Sequence, residues 1–216
     1  MIKVKSSLLI LALFFVSQVT KAQKDTKTYE FKAFDKVQIE NINGEVEIEL
    51  GKPYSITVSG KDNAQEQVQI SKSEDNLLVK LDNKLVTDWK NRKVVKVKIV
   101  MPEISKLFNF SNADVSIKNF VGRYFGIENK GNGNISVVGS VVDFIEVKNT
   151  GNGNLETKNI ISKKVDITKS GNGDVNIRTD TDFNVEMNGN GDIVNYGNGK
   201  ATIKKQTGTG KVVYRN

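Results

Sequence analysis

The sequence contains no cysteine and no histidine among its 216 residues. The absence of histidine removes the commonest general base and every histidine-assisted nucleophile, so hydrolases built on such pairs are excluded. The absence of cysteine excludes disulfides, so an exported chain of this kind must be stabilised by its core or by repetitive packing. We also expect that the protein is not a lipoprotein, because a lipid anchor of that type needs a cysteine.

Long apolar segments are scarce, and the one at the N-terminus has the order of a secretory signal. Lys3 and Lys5 precede an apolar stretch at residues 8–16, and residues 17–22 are small and polar. This order predicts a signal peptide over residues 1–22, with cleavage after Ala22. No later segment approaches about 18 apolar residues, so we expect no integral membrane segment after signal removal.

The excess of positive charge is small once the signal is removed. The whole chain carries 32 basic and 25 acidic residues, a net charge of +7. Removal of Lys3, Lys5 and Lys21 leaves 29 basic residues against the same 25 acidic ones, a net charge of +4. This balance is weak for a nucleic-acid binder, and export argues further against such a partner.

A Gly-Asn-Gly repeat dominates the second half of the chain. It occurs as GNGNI at residues 131–135, GNGNL at 151–155, GNGDV at 171–175 and GNGDI at 189–193. SNADV at 111–115 fits one period earlier, and GTGKV at 208–212 fits one period later. Steps of 20, 20, 20, 18 and 19 residues separate these motifs, which indicates a repeat architecture.

Each repeat contains two short stretches in which apolar residues alternate with polar ones. Ile135 and Val137 follow one turn, and Ile145 and Val147 precede the next. Period-2 spacing and β-branched side chains are typical of strands, and no helical stripe follows residue 23. The chain is therefore predicted to be all-β.

Two all-β architectures fit this pattern. One is an antiparallel meander, because Asn-Gly is also a favoured hairpin turn. The other, which we favour, is a single-stranded parallel β-helix (β-solenoid) with about 20 residues per coil. In a β-solenoid Asn132, Asn152, Asn172 and Asn190 would stack at about 4.8 Å and form a structural turn ladder of amide hydrogen bonds. We expect the flanking glycines to supply positive φ at each corner.

We expect one continuous domain over residues 24–216. Residues 23–110 are predicted to hold N-terminal β coils with a cap and a hairpin insertion, and residues 111–216 the regular Gly-Asn-Gly repeats. Because an open solenoid end exposes core and unpaired backbone, we place a cap in residues 24–60. Arg215 and Asn216 are expected near the other end.

Two aspartates are the candidates for catalysis. Asp174 and Asp192 would occupy one column on adjacent coils, at a spacing near that of retaining glycosidase carboxylates. They also continue the column of Asn134 and Asn154, where turn hydrogen bonds explain them equally well. We favour this structural interpretation and predict no catalytic residue, no metal site and no cofactor. Calcium binding is disfavoured because most members of the column are neutral asparagines.

A basic stretch around the single tryptophan supplies a candidate glycan contact. The indole of Trp89 could stack on a sugar face while Arg92 and Lys93 hold an anionic group. Alternatively, Trp89 covers a groove beneath an insertion and the nearby lysines protect an edge strand. The second interpretation is favoured.

The signal peptide, the strand ending in Val100-Met101-Pro102, and the serial GNGN and GNGD turns together resemble the putative auto-transporter adhesin, head GIN domain family. The resemblance covers roughly residues 35 to 213. It implies a right-handed parallel β-helix that is exported and located in Gram-negative envelopes, either in the periplasm or at the cell surface. The family supplies no catalytic residues.

The sequence and this resemblance together favour an exported, non-enzymatic binding or scaffold protein of the cell envelope. It would be adhesin-like and would present a solenoid face to a cell-surface glycan or protein. One alternative is a β-helical polysaccharide-active enzyme that uses Asp174 and Asp192. Another is a periplasmic structural protein without a ligand.

Overall fold

The computed structural model describes residues 25–81 and 94–215, in which strands are the main secondary structure. The predicted all-β class is confirmed. The one helical element among them is a 3-10 segment, Lys61–Gln67. The strands are β1 (Thr26–Tyr29), β2 (Lys36–Glu40), β3 (Gly44–Leu50), β4 (Ser55–Gly60), β5 (Val68–Ser73), β6 (Asn76–Leu81), β7 (Val95–Met101), β8 (Lys106–Phe110), β9 (Asp114–Asn129), β10 (Ile135–Asn149), β11 (Leu155–Lys169), β12 (Val175–Ile177), β13 (Phe183–Asn188), β14 (Ile193–Asn195), β15 (Ala201–Thr207) and β16 (Val212–Tyr214).

Two sequence predictions fall outside the described residues. They are the signal peptide at residues 1–22 and the insertion at residues 82–93. Within the described ranges, no helix is long and apolar enough to cross a membrane.

Alternating apolar residues give most strands one buried side, whereas β15 is exposed along nearly its whole length. Along β7, Val95, Val97 and Ile99 are buried, while Lys96 is exposed. β-Branched residues suit this half-buried, pleated arrangement. The buried side chains form one continuous core that extends from Phe34 to Ile193.

The strands pair in two runs, which we call the first wall and the second wall. In spatial order the first wall contains β7, β3, the starts of β9, β10 and β11, then β12, β14 and β16. The second wall contains β6, β2, β8, the ends of β9, β10 and β11, then β13 and β15. The three long strands run through both walls, and their register shifts where they pass from one wall to the other.

Successive repeats pair in parallel. Ile135 lies opposite Val115 of β9 and Leu155 of β11, and Val175 and Ile193 continue the same column. Neighbouring strands of a meander would run in opposite directions. The Gly-Asn-Gly repeats therefore do not form a meander, and their pairing is compatible with a β-solenoid.

One repeat is shorter because its corner differs. Leu155 pairs with Val175, 20 residues later, but Asp166 pairs with Asn184, only 18 residues later. The two missing residues are thus lost between the first and second walls. At this corner the backbone N–H of Asn198 donates to Asp180, so a second Gly-Asn-Gly turn at residues 197–199 stacks on the coil before it.

The N-terminal strands do not stack in chain order. β3 lies between β7 and β9, and β2 lies between β6 and β8. The outer layer at this end is antiparallel, since β4 pairs with β7, β1 with β4, and β5 with β6. Of the cap placed in residues 24–60, β1 and β4 lie in this outer layer, whereas β2 and β3 are internal strands and β5 of the outer layer comes later in the chain. Val37 and Ile48, which are fully buried, explain why residues 36–50 need strands on both sides.

Candidate binding surface

The turn edge carries a continuous chain of asparagine hydrogen bonds. The Nδ2 of Asn152 donates to the Oδ1 of Asn132 at 2.8 Å, and Asn172 donates to Asn152 at 2.8 Å. Asn190 donates to Asn172 at 3.0 Å. Asn112 accepts from Asn132 at one end, and the hydroxyl of Thr209 donates to Asn190 at the other. The structure thus brings the four asparagines of the proposed ladder together, on an exposed edge where each amide bonds the next coil.

A second column beside this ladder contains the two candidate catalytic aspartates. One side-chain oxygen of each residue accepts the backbone N–H one coil later: Asp174 accepts from Asp192 at 2.8 Å, and Asp192 accepts from Lys211 at 2.9 Å. Asn134 and Asn154 make the same contact with the following coil. The two aspartates therefore serve as turn acceptors, in the same way as the asparagines of their column.

The turn glycines are needed for a different reason from the one predicted. Among the described glycines only Gly44, Gly51 and Gly208 have positive φ, so the expectation of positive φ at the Gly-Asn-Gly corners is wrong. A Cβ on Gly173 would instead lie 2.5 Å from the carbonyl carbon of Gly153, well inside the 3.4–4 Å of ordinary contact. Backbones of adjacent coils approach so closely at these positions that only a hydrogen fits.

An internal polar column beneath the turns was missed in the sequence. Asn109 donates to Asn129, and Asn129 donates to Asn149, each at 3.2 Å, and all three are fully buried. Asn149 also donates to the carbonyl of Gly153 at 3.1 Å. The signal was an asparagine two residues before a Gly-Asn-Gly turn, which recurs at Asn129, Asn149 and Asn195.

Lys169 takes the next place in this internal column, opposite Asn149. Its side chain is buried, and its Nζ donates to the carbonyl of Gly171 at 2.7 Å. Burial lowers the pKa of this lysine, and the charges of Asp174 and Asp192 oppose the effect. A cationic residue thus lies where the other coils place a neutral amide, at a desolvation cost.

The outer side of the second wall carries four half-buried aromatic rings, which we call the aromatic face: Phe108, Phe110, Tyr124 and Phe144. Phe108 and Phe110 have ring centroids 6.1 Å apart, and Tyr124 and Phe144 have centroids 5.7 Å apart. Each ring alternates along its strand with an inward, buried residue such as Leu107. The core therefore does not require these rings, which lie on the outer side as two pairs, with Phe108 opposite Glu128 rather than Tyr124.

Lysines and carboxylates surround the aromatic face. Lys164 lies over the ring of Phe144 with its Nζ 4.4 Å from the centroid, and Lys130 lies over Phe110 at 4.7 Å. The Tyr124 hydroxyl donates to Glu146 at 2.6 Å. Burial, together with this hydrogen bond, raises the pKa of Tyr124 to about 12, so its hydroxyl stays a donor at all physiological pH values.

The outer side of the first wall is more uniformly charged. Glu47 contacts Lys98 and Lys118, both at 3.3 Å, on the strands to either side of it. A shallow depression of about 280 Å³ lies beside Glu45 and Asp114 and includes Ser116. In residues 25–81 and 94–215, no three acidic side chains are placed so that they could hold a metal ion.

The predicted glycan contact cannot be placed on either wall. Trp89, Arg92 and Lys93 all lie in the insertion outside the described residues. The aromatic face was not predicted, although the alternation in KLFNF at residues 106–110 places Phe108 and Phe110 opposite to the buried Leu107. That alternation was the available signal.

Comparison with known proteins identifies relatives of the same fold. A putative adhesin from Bacteroides fragilis has a TM-score of 0.66 at 22% identity, and the match covers 88% of this chain and 95% of that one. A putative adhesin from Parabacteroides distasonis has a TM-score of 0.50 at 13% identity, covering 88% and 95%. At these identities the likeness shows the fold alone. No curated protein matches significantly.

The family model described as "Putative auto-transporter adhesin, head GIN domain" matches residues 33–199, which is more than half of the chain. This match confirms the family resemblance seen in the sequence. The chain belongs to the putative auto-transporter adhesin, head GIN domain family.

Proposed function

We propose that this protein is an exported, non-enzymatic adhesin-like protein of the cell envelope that binds glycan through the aromatic face. The aromatic face is the observation that carries the proposal. Two pairs of rings lie outward on a wall whose inward positions already complete the core, and outward-facing aromatic pairs of this kind suit a contact surface. In this proposal the coils form a right-handed solenoid of about 20 residues per coil, the hand that parallel crossovers almost always take.

The chemistry around the rings suits a sugar. The apolar side of a sugar ring can stack on Phe144 or Phe108 once the flexible lysine above it moves aside. Glu146 lies next to the rings through its hydrogen bond with Tyr124 and can accept from sugar hydroxyls. The strand spacing of about 4.8 Å sets these groups along a flat surface rather than in a pocket, as an extended glycan requires.

Glycan-array binding of the mature protein tests this proposal. We expect binding that the double variant Tyr124→Ala, Phe144→Ala abolishes. Tyr196→Ala is the matched control, because Tyr196 is also half-buried with a lysine above it, Lys158 at 5.1 Å, but lies at the end of the first wall. Equal binding by the wild type and the double variant would refute the aromatic face. Binding to a protein coat but to no glycan would refute the glycan assignment.

Trp89, Arg92 and Lys93 are proposed as a further candidate contact. Trp89→Ala should then weaken glycan binding by itself, without lowering the melting temperature. A lowered melting temperature with unchanged binding would instead support the groove-covering interpretation of this tryptophan.

The location and the lack of catalysis have their own tests. Cell fractionation should find the protein beyond the inner membrane, with residues 1–22 removed. Incubation with acidic and neutral polysaccharides should give no turnover. Turnover that Asp192→Asn abolishes would overturn the non-enzymatic assignment, because Asp192 could then not be a turn acceptor alone.

A further inference from the structure

The two ends of the stacked strands differ in how they are covered. At one end antiparallel β1, β4 and β5 close the walls. At the other, which we call the C-terminal end, β15 pairs with β13 and β16 pairs with β14. Among the residues that the structure describes, no strand pairs with the outer edges of β15 and β16.

The C-terminal end exposes side chains that are buried elsewhere in the same columns. Ile203 is 46% exposed, whereas Val185, its partner in β13, is 0% exposed. Tyr214 is 40% exposed, whereas Asn195, its partner in β14, is 0% exposed. The cross-section of the core thus meets an edge whose backbone groups lack a strand partner, although the N–H of Ala201 donates to the Tyr214 hydroxyl.

The same end is strongly cationic. Lys200, Lys204, Lys205, Lys211 and Arg215 surround it, and none of them makes an ion pair within the described residues. The single carboxylate in residues 189–215 belongs to Asp192 and accepts the backbone N–H of Lys211. The positive charge of this edge is therefore not neutralised by its own coil.

We propose that the C-terminal end binds an extended acidic segment of a partner protein, which adds as a strand beside β15. A strand supplies the N–H and C=O groups that the edge lacks, and its alternate side chains point to opposite sides. Apolar residues of the segment then cover Ile203 and Tyr214, while its carboxylates face Lys204 and Lys205.

A second copy of this chain does not fit the same edge. Two C-terminal ends would bring Lys204 and Lys205 of one copy against those of the other. The register shift of β15 between Ile203 and Lys205 further disturbs a straight edge. Lysines and bulges are devices that prevent edge-to-edge pairing of identical chains. Of the two, the lysine charge distinguishes between partners, since it repels a second copy and attracts a strand of opposite charge.

A peptide of about ten residues in which Glu alternates with Val is a suitable probe, because this length matches an ordinary strand. Fluorescence anisotropy measures its binding, and hydrogen exchange locates it on the mature protein. We expect binding together with protection of backbone amides in β15, and no binding of the peptide in which Lys replaces Glu. The double variant Lys204→Glu, Lys205→Glu should weaken binding about tenfold, since two attractive contacts become repulsive.

The matched control reverses two lysines at the covered end, Lys61→Glu and Lys72→Glu, and should leave the affinity unchanged. Equal weakening by both double variants would show a general charge effect and overturn the proposal. Absence of protection in β15 would also overturn it. So would a dimer of the wild type, seen by sedimentation, that forms through β15.

Discussion

Replacement of Gly173 by alanine tests the central packing feature of the turns. Gly173 has no positive φ, so alanine meets no backbone penalty there. Its Cβ would nevertheless lie 2.5 Å from the carbonyl carbon of Gly153 and 2.8 Å from the carbonyl oxygen of Asn152. The predicted loss of stability therefore comes from steric overlap between coils.

The size of this loss follows from the neighbouring hydrogen bonds. Relief of the overlap requires the two coils to separate by roughly 1 Å. Two bonds of 2.8 Å flank the glycine, one from Asn172 to Asn152 and one from Asp174 to Asn154, and that separation breaks both. Overpacking costs about 1–3 kcal/mol and each of the two lost bonds about 1 kcal/mol, so we expect about 3–5 kcal/mol in total.

Gly51→Ala is the matched control. Gly51 has a φ of +85°, and nothing lies within 4 Å of an added Cβ, so alanine there meets only the left-handed backbone penalty. We expect that variant to lose about 1 kcal/mol. In thermal melts Gly173→Ala should lower Tm by about 6–20 °C and Gly51→Ala by about 2–4 °C.

Chemical denaturation of the same two variants gives the free energies directly. If Gly173→Ala unfolds with the free energy of the wild type, or loses less than Gly51→Ala, the coils do not approach as described. A large loss of stability in Gly51→Ala alone would indicate that positive φ, and not close backbone approach, is the reason for these glycines.

Three further predictions concern stability. Lys169→Asn should stabilise the protein at pH 7, and this gain should shrink as the pH rises toward 10.5. The pKa of Lys169 is lowered in the folded state, so the folded wild type loses the lysine proton before the unfolded chain does and becomes more stable as the pH rises. Denaturant titrations at several pH values check this, and a constant gain would contradict it. Asn149→Ala should lower the unfolding free energy by about 3 kcal/mol and Asn152→Ala by about 1 kcal/mol. Only the first change leaves a buried amide, that of Asn129, without its acceptor. Equal melting temperatures of the two variants would contradict this order. Ala33→Gly should raise the unfolding free energy by about 0.5 kcal/mol, because Ala33 has a φ of 57°, which glycine adopts without strain. A lower denaturation midpoint would show that the added entropy of the unfolded glycine chain outweighs the relieved strain.

The parallel stacking of the repeats could be predicted because each repeat carries the signal for it in its own consecutive residues. Each Gly-Asn-Gly turn with its two alternating strands is one unit, and identical residues at one position are favoured when units lie in register. The column of Asn152 and Asn172 follows from that period alone. The all-β class and the family followed from the same repeats.

The order of the N-terminal strands could not be predicted in the same way. β3 pairs with β7, about 50 residues later in the chain, and with β9, about 70 residues later. No period marks such pairings, and alternation identifies a strand without naming its neighbours. The range 24–60 therefore contains β1 and β4 of the outer layer but also the internal β2 and β3.

The reason for the glycines and the roles of two columns also lay beyond the sequence pattern. A glycine favours both positive φ and close backbone approach, and only coordinates separate the two. Lys169 reads as a surface residue because lysine is rarely buried, yet its column places it inside. Alternation with the inward Phe125 and Ile145 was available to place Tyr124 and Phe144 outward, where the structure has them.

The close backbone approach at the turns limits how such a chain changes its length. A duplicated unit of 20 residues meets the same hydrogen-sized gap and the same amide partner on either side, so it fits without disturbance. An insertion of one residue at the turn would instead put a side chain where only glycine is accepted. Growth at that edge therefore proceeds in whole coils, while single residues are gained or lost at the opposite corner, where the coil at residues 171–188 is two residues shorter.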